Sequence, residues 1–433
     1  MTKRRPVRTA CGTLFLAFLT FTSNAGAQTE SVLYSFTAGS GAVGGGPQAG
    51  VVIGNGPSGQ VLYGTTPYFG TLNNGMVFSL TPPASSGGSW TEAVLYNFTG
   101  GVDGGLPGGV VVGSEPGGHT VLYGTTQNGG TGGSGTVFSL TPPASPGGSW
   151  TETVLYNFTG GSDGLVPNGV VVGSQSNGRP VLYGITLLGG TGLGNVFSLT
   201  PPASPGGTWT ETVLHSFAGG RDGSYPTGIV VGPDALYGTT SDFYGQYPSG
   251  AGTVFSLKTP ASAGGSWVMR TLHDFSLGGA NGGSFPLGGV AIGRGGVLYG
   301  TTSIGGTLDN GTVFSLTPPA SPGGAWTLAV LCNFLEGGPA ATAPDAGVAI
   351  GHDGVLYGTT TGGAFNTGTV YSLTPPAAAG GAWTETVLHT FTGYPSDGSG
   401  PEAGVVIGHD GVLYGTTPIG GASNKGTAFE LRP

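Results

Sequence analysis

The sequence predicts an all-β fold, a seven-bladed β-propeller built from four-stranded antiparallel blades. The first observation is a repeat: a Leu-Tyr-Gly segment recurs seven times at intervals of 54 to 62 residues. A period of this length indicates a ring or stack of supersecondary units. The tyrosines of the seven segments are Tyr63, Tyr123, Tyr183, Tyr237, Tyr299, Tyr357 and Tyr414.

The second observation is that each repeat contains four short segments rich in β-branched and aromatic residues, separated by turn residues. In the second repeat these segments are 109–112, 121–125, 136–140 and 150–158, which we call strands one to four. No segment has apolar residues at i, i+3 and i+4 over enough length for a helix. Four antiparallel strands per repeat are typical of a propeller blade.

The third observation concerns the chain ends. After its leader the chain starts with a lone fourth strand at 32–36, and it ends on a third strand at 426–431. The two fragments complete one blade, so the N-terminal strand should become the outer strand of the last blade and remove an open sheet edge. An open β-solenoid, the alternative, has no reason to begin and end at complementary points.

Residues 1–27 have the layout of a secretory signal peptide: four basic residues, an apolar stretch too short to span a bilayer, and small residues before cleavage near Ala27. We therefore expect a secreted protein, extracellular or periplasmic, with residues 28–433 as a single propeller domain. No membrane span remains after cleavage. Cys332 is then the single cysteine, which leaves no intrachain disulfide, and we expect a monomer.

The amino-acid composition limits the kinds of molecule that the protein is expected to bind. Charged residues make up 7% of the chain and the net charge is −9, which becomes −13 when a leader with four basic and no acidic residues is removed. An acidic surface disfavours nucleic acid and anionic membranes. The 93 glycines and 32 prolines suggest low complexity until they are placed in register, where most glycines fall at turns and strand ends.

The repeat accounts for most of the residues that could be taken for catalytic or metal-binding residues. The six tryptophans share one column at the start of strand four, and two columns of phenylalanine recur beside it, so all three columns are interpreted as packing. His215, His273 and His389 share a column with tyrosines and with Cys332. A position that accepts Tyr, His or Cys within one chain is interpreted as a packing position, so a histidine metal site and a catalytic cysteine are not favoured.

Four aspartates precede the proline that leads into strand one: Asp103, Asp163, Asp222 and Asp397. They are weak candidates for metal ligands, because carboxylates and loop carbonyls suit calcium. The favoured alternative is an Asx-type turn in which the side chain bonds nearby backbone. No run matches a known calcium-binding loop, and no cofactor is expected.

Function should be carried by residues that break the repeat. In a four-stranded blade, the loops from strand two to three and from strand four to the next strand one emerge on one face. Nine aromatic residues outside the repeated columns all fall in these loops: Tyr68, Phe69, Tyr225, Phe243, Tyr244, Tyr247, Phe285, Phe365 and Tyr394. Exposed rings beside polar groups suit sugar or peptide recognition. The alternative is that these rings fold back over their own loops.

Two carboxylates are weak catalytic candidates. The residue after the strand-one proline is Asp345 in the sixth repeat and Glu402 in the seventh, and this column should face the channel mouth. Two neighbouring acids can serve acid/base chemistry or hold a divalent ion. No nucleophile, base or third ligand accompanies them by motif.

The repeat Gly-Val-Val-Val-Gly, Leu-Tyr-Gly-Thr-Thr, Gly-Thr-Val-Phe-Ser-Leu-Thr-Pro, Val-Leu-Tyr-Asn-Phe resembles the GloVer tandem-repeat family of bacterial secreted proteins, over nearly the whole mature chain. The resemblance implies an extracellular location and supplies no catalytic residues. The strand pattern also looks like that of NHL-type propellers, which are commonly interaction scaffolds.

Three functional hypotheses follow. The leading one is a binding module for an extracellular glycan, protein or peptide on the aromatic-rich loops. The second is a propeller lyase or hydrolase that uses Asp345 and Glu402. The third is a structural protein of the envelope or matrix.

Overall fold

The computed structural model describes residues 29–37, 44–56, 59–85, 87–114, 120–145, 147–175, 178–204, 206–242, 250–260, 265–277, 282–321, 323–335, 342–363, 366–378 and 380–433. These residues form β-strands, together with two single-turn 3-10 helices at Gly220–Asp222 and Arg294–Gly296. The predicted leader lies outside the described residues.

In chain order the strands are β1 Thr29–Ser35, β2 Gly44–Gly45, β3 Val52–Gly56, β4 Gly59–Thr66, β5 Tyr68–Phe69, β6 Met76–Thr81, β7 Thr91–Asn97, β8 Gly105–Ser114, β9 Thr120–Asn128, β10 Thr136–Thr141, β11 Thr151–Asn157, β12 Leu165–Ser174, β13 Pro180–Leu188, β14 Asn195–Thr200, β15 Thr210–Ser216, β16 Pro226–Val231, β17 Ala235–Thr240, β18 Thr253–Lys258, β19 Val268–Asp274, β20 Ala291–Ile292, β21 Leu298–Thr302, β22 Thr312–Thr317, β23 Thr327–Asn333, β24 Ala349–Ile350, β25 Leu356–Thr360, β26 Thr369–Thr374, β27 Thr384–Thr390, β28 Gly398–Ser399, β29 Val406–Ile407, β30 Leu413–Thr417, β31 Ile419–Gly420 and β32 Thr427–Arg432.

Seven four-stranded antiparallel sheets form the blades, which we number I to VII in the order of their inner strands along the chain. Within each blade the strands are given from the inner strand to the outer strand. Blade I is β3-β4-β6-β7, and blades II to VI follow as β8 to β11, β12 to β15, β16 to β19, β20 to β23 and β24 to β27. Blade VII is β29-β30-β32-β1. The short strands β2 and β28 pair with β5 and β31 in the loops. The predicted seven-bladed propeller is confirmed.

The ring closes through the N-terminal strand, as predicted. Strand β1 pairs antiparallel with β32, with Val32 opposite Phe429. Near the axis, the Thr416 hydroxyl of blade VII donates a 3.0 Å hydrogen bond to the carbonyl oxygen of Ala49, which leads into blade I. Residues from the two ends of the chain therefore share one sheet, and no strand of blade VII is left without its neighbour.

The core lies between blades. The phenylalanine that ends strand four of one blade packs edge-on against the strand-three ring of the next, as Phe98 does against Phe138 at 5.0 Å between ring centroids. The same contact joins Phe36 of the N-terminal segment to Phe78 of blade I at 5.0 Å. These rings are fully buried, so each junction is held by apolar burial, worth about 25 cal/mol per Å².

The repeated Leu-Tyr-Gly segment requires its glycine for the same packing. A Cβ added at Gly124 would lie 2.6 Å from the Phe138 ring, and one at Gly64 would lie 2.5 Å from the Phe78 ring. The glycine therefore leaves room for the strand-three ring above the neighbouring strand. This close approach explains why the glycine recurs in every blade.

Candidate functional site

We call the face formed by the loops from strand two to three and from strand four to one the loop face, and the opposite face the turn face. Of the nine aromatic residues predicted on the loop face, Tyr68 and Tyr394 are exposed, with 48% and 63% of their surface accessible. Phe69 and Phe285 are half-buried. Tyr225 is 4% exposed and belongs to the core between blades III and IV, so its ring folds back. Phe243, Tyr244, Tyr247 and Phe365 lie outside the described residues.

Tyr68 and Phe69 are held by backbone pairing. They form strand β5, which pairs with β2 so that Gly45 lies opposite Tyr68. The Lys425 ammonium group lies 5.0 Å from the centre of the Phe69 ring, within the range of a cation–π contact. Blade I and the last loop of blade VII therefore meet at Phe69, and the neighbouring Tyr68 is exposed on a paired backbone.

Aliphatic side chains accompany the two exposed tyrosines. Ten large hydrophobic side chains are exposed among the described residues, and eight of them lie in loops of the loop face. The eight are Tyr68, Leu72, Val102, Leu277, Leu308, Leu335, Tyr394 and Ile419. Single exposed apolar residues are ordinary, so the difference between the two faces lies in the distribution, with eight of the ten in loops of the loop face.

The predicted carboxylates, Asp345 and Glu402, lie close enough for the charge of one to affect the pKa of the other. The Asp345 carboxylate accepts hydrogen bonds from the Ser303 hydroxyl at 2.6 Å and the Thr361 hydroxyl at 3.0 Å. Glu402 is exposed, yet partial desolvation raises its pKa, and the charge of Asp345 raises it further. A hydrogen bond with Gln48 opposes this rise in the pKa. The arrangement supplies one fixed carboxylate beside a second carboxyl that holds its proton more strongly.

The four predicted aspartates fasten the loops between blades. Asp163 accepts hydrogen bonds from the Thr159 backbone N–H at 2.8 Å, the Thr159 hydroxyl at 2.7 Å and the Tyr156 hydroxyl at 3.2 Å. Asp103 repeats these contacts with Thr99 and Tyr96.

Asp222 and Asp397 meet histidines where the first two aspartates meet tyrosines. His215 lies 3.0 Å from Asp222, and His389 lies 3.1 Å from Asp397. Four members of the column that accepts Tyr or His therefore form hydrogen bonds with these aspartates, namely Tyr96, Tyr156, His215 and His389. The sequence carried a signal for these hydrogen bonds, because each tyrosine or histidine precedes its aspartate by seven or eight residues.

A column of glutamates in strand four was not singled out from the sequence. Burial raises the pKa of Glu92 to about 7. Burial, followed by the charge of Asp103 or Asp163, does the same for Glu152 and Glu211. Burial raises the pKa of Glu30 to about 7 with a contribution from Asp397, opposed by His389. In each, the Oε1 atom is buried and no hydrogen-bond partner for it lies among the described residues. The sequence signal for this glutamate column was the Thr-Glu pair that recurs directly after the tryptophan column.

Cys332 supports its interpretation as a packing residue. Its thiol donates a weak 3.6 Å hydrogen bond to Glu385. Burial, and next the Glu385 charge, raise the pKa of the thiol to about 12. A thiol that holds its proton so strongly is a poor nucleophile at neutral pH.

Clefts open between blades on the turn face. One such cleft, of about 620 Å³, lies between blades V and VI. Its walls include the Tyr299 and Trp383 rings, 6.2 Å apart and edge-on. The Arg294 guanidinium in the same wall donates to the carbonyl oxygen of His352 at 3.1 Å. The tryptophan column therefore packs against the preceding blade, as the repeat predicted, and also lines these clefts.

The fold and the repeated contacts define a seven-bladed propeller assembled from one repeated unit. Residues 10–242, 146–334 and 286–433 match the family described as the Gloeobacter/Verrucomicrobia repeat. The chain belongs to that family, which confirms the resemblance found in the sequence. No curated protein matches the chain.

Solved structures with similar chain paths have low identity to this chain. The polysaccharide lyase Uly1 is 11% identical, with a TM-score of 0.48 over 92% of this chain and 93% of the lyase. The endosialidase of phage phi92 is 14% identical, with a TM-score of 0.42 over 94% of this chain and 69% of the endosialidase. A glucose dehydrogenase is 14% identical, with a TM-score of 0.38 over 94% and 99% of the two chains. At these values the likenesses carry no inference about activity.

Within the part of the chain that the structure describes, no helix has the length and apolar character needed to cross a membrane.

Proposed function

We propose that the protein is a secreted binding module whose contact surface is the loop face. The distribution of exposed apolar side chains supports this most directly, since eight of the ten large ones in the described residues lie there. The layout of residues 1–27 supports export. A rigid ring that presents variable loops on one side is a common basis for recognition.

The composition of the loop face favours a polypeptide ligand. Six of its eight exposed apolar side chains are aliphatic, and these bury well against other apolar side chains. Tyr68 and Tyr394 add flat rings with a polar tip, which are enriched at protein interfaces. The net charge of −9 favours a neutral or basic partner. A glycan that stacks on the two tyrosines is the competing ligand class.

The experiment compares loop-face variants with a variant elsewhere. Peptide and glycan arrays are probed with the purified protein, and the best ligand is titrated against the wild type and the double variant Tyr68→Ala, Tyr394→Ala. Both side chains are largely exposed, so the melting temperature should stay nearly unchanged while affinity falls about tenfold or more, as expected for aromatic residues at an interface. Val268→Ala is the matched control, because Val268 is 61% exposed on the outer strand of blade IV.

The outcomes separate the hypotheses. Binding to peptides that is weakened by the double variant and not by Val268→Ala supports the proposal. Glycan binding with the same pattern assigns the other ligand class to the same surface. A protein that retains no ligand from either array would instead favour a structural role in the envelope or matrix.

The carboxylate pair supports a second candidate function, cleavage of a glycan by a lyase or hydrolase. A fixed Asp345 next to a Glu402 whose pKa is raised resembles the division between a carboxylate and a general acid. Screening polysaccharides for cleavage tests it, since Glu402→Gln should abolish any activity while leaving peptide binding intact. Activity that survives both Glu402→Gln and Asp345→Asn would exclude this pair.

A further inference from the structure

Three side chains with metal-ligating atoms meet where the N-terminal strand completes the ring. Glu30 lies on β1 of blade VII, His389 on β27 of blade VI, and Asp397 in the loop that follows blade VI. One ligand atom from each lies within 4.8 Å of the others. The His389 and Asp397 side chains are 21% and 9% exposed. We call these three residues the closure cluster.

The distances suit a small dication. His389 Nε2 and Asp397 Oδ2 are 3.1 Å apart. Ligand atoms bound tetrahedrally to zinc at about 2.0–2.1 Å are separated by roughly 3.3 Å, so this pair already has the spacing of two ligands on one ion. Glu30 contributes the third ligand atom from the neighbouring blade, within 4.8 Å of the other two.

Asp397 is fixed in place by its surroundings. Its carboxylate accepts hydrogen bonds from the backbone N–H groups of Thr392 at 2.7 Å and Gly398 at 2.6 Å, and from the Thr392 hydroxyl at 3.2 Å. Hydrogen bonds of this kind orient metal ligands and raise affinity. The residue is 7% exposed, so the carboxylate does not need to reorganise to bind an ion.

Glu30 brings to the closure cluster the buried carboxylate oxygen that it shares with the strand-four glutamates of other blades. Its Oε1 atom is buried, and no hydrogen-bond partner for it lies among the described residues. A buried carboxylate oxygen without a partner is unfavourable, and the Asp397 carboxylate faces the same space. Two carboxylates against one imidazole leave negative charge that a dication would balance.

The other junctions provide an internal comparison. At the junctions after blades I and II, the equivalent residues are Tyr96, Asp103 and Glu152, and Tyr156, Asp163 and Glu211. After blade III they are His215, Asp222 and Met269. Tyrosine replaces the imidazole in the first two junctions, and methionine replaces the carboxylate in the third. Among the described residues, the closure cluster alone is found to combine all three ligand types.

We propose that the closure cluster binds one Zn²⁺ ion, which fastens β1 to blade VI. Imidazole and carboxylate donors together suit zinc, and three protein ligands leave a fourth position for water. Fastening is useful at this junction, because Gln28 stands at the position that tryptophan occupies in the other six repeats. The ion would therefore join the first strand of the chain to the ring at a point where the repeated aromatic contact is replaced in the sequence.

The test measures metal stoichiometry in variants that the repeat itself suggests. The purified protein is stripped with chelator and titrated with Zn²⁺ by calorimetry, and with Co²⁺ to follow ligand-field absorption. The wild type should bind one ion and gain thermal stability with zinc. His389→Tyr places in blade VI the residue that blades I and II use, so it should fold normally and lose the ion. Glu30→Gln should weaken binding at least tenfold.

A gain-of-site variant provides the reciprocal test. Met269→Glu adds the missing carboxylate beside His215 and Asp222, and the stoichiometry should rise from one ion to two. His352→Ala, in an exposed turn, is the control and should change nothing. Zinc binding that persists in both His389→Tyr and Glu30→Gln, or a wild type that takes up no zinc, would overturn the proposal. A wild type that takes up calcium in preference to zinc would overturn the assignment of the ion.

Discussion

Replacing Glu92 by Gln should make the stability of the protein less dependent on pH. Burial raises the pKa of Glu92 from its ordinary 4.5 to about 7. The folded protein therefore holds this proton between pH 4.5 and 7, where the unfolded chain has released it. The contribution of Glu92 to the free energy of unfolding is therefore most favourable below pH 4.5, falls as the pH rises toward 7, and is lowest above pH 7.

The magnitude follows from the size of the pKa shift. One pKa unit corresponds to 1.36 kcal/mol, so a shift from 4.5 to about 7 gives an upper limit of about 3.4 kcal/mol. Glu92 is half-buried and solvent screens part of the effect, so we expect about 1–2 kcal/mol between pH 5 and pH 8. Glu152 and Glu211 should each add a similar amount.

The assay is urea unfolding followed by tryptophan fluorescence at pH 5 and pH 8, with chelator present so that metal does not contribute. The tryptophans lie at blade junctions, so their emission reports on the core between blades. Glu92→Gln should gain about 1–2 kcal/mol relative to the wild type on going from pH 5 to pH 8. Met269→Gln, in the same column without a wild-type carboxylate, should show the same stability difference at both pH values. An equal difference at both pH values for Glu92→Gln would refute the reasoning.

Two further predictions concern packing. Gly124→Ala places a Cβ 2.6 Å from the Phe138 ring and should destabilise the protein by about 2–3 kcal/mol in urea unfolding. In the control Gly147→Ala the added Cβ meets nothing within 4 Å, so this variant should lose about 1 kcal/mol through its positive φ alone. Similar losses in the two variants would contradict the packing explanation. Phe36→Ala should destabilise by about 3–5 kcal/mol, as much as Phe158→Ala inside the chain, because both rings are fully buried between blades. A small loss at Phe36 alone, with unchanged proteolysis of the N-terminal segment, would argue against ring closure in solution.

The fold could be predicted from the sequence because each blade is encoded by the same short sequence pattern, which occurs seven times. Every blade repeats the Leu-Tyr-Gly segment and the two columns of aromatic rings, and four of the seven junctions between blades repeat the aspartate ahead of strand one. The complementary ends at 32–36 and 426–431 fixed the mode of closure, which the pairing of β1 with β32 confirmed. Tyr225 shows the limit, since a ring in a variable loop can turn into the core, and no periodic pattern states which way it turns.

The sequence by itself determined the number of blades, their strand order and the side on which variable loops lie, because those properties depend on local periodicity. Only the tertiary structure brought Glu30 to His389 and Asp397, which are about 360 residues away along the chain. It also placed Glu402 beside Asp345 and left eight apolar side chains exposed on the loop face. These contacts depend on how one blade packs against the next. The periodic pattern shows which positions recur in each blade, but it does not show which of these positions meet across a junction between blades.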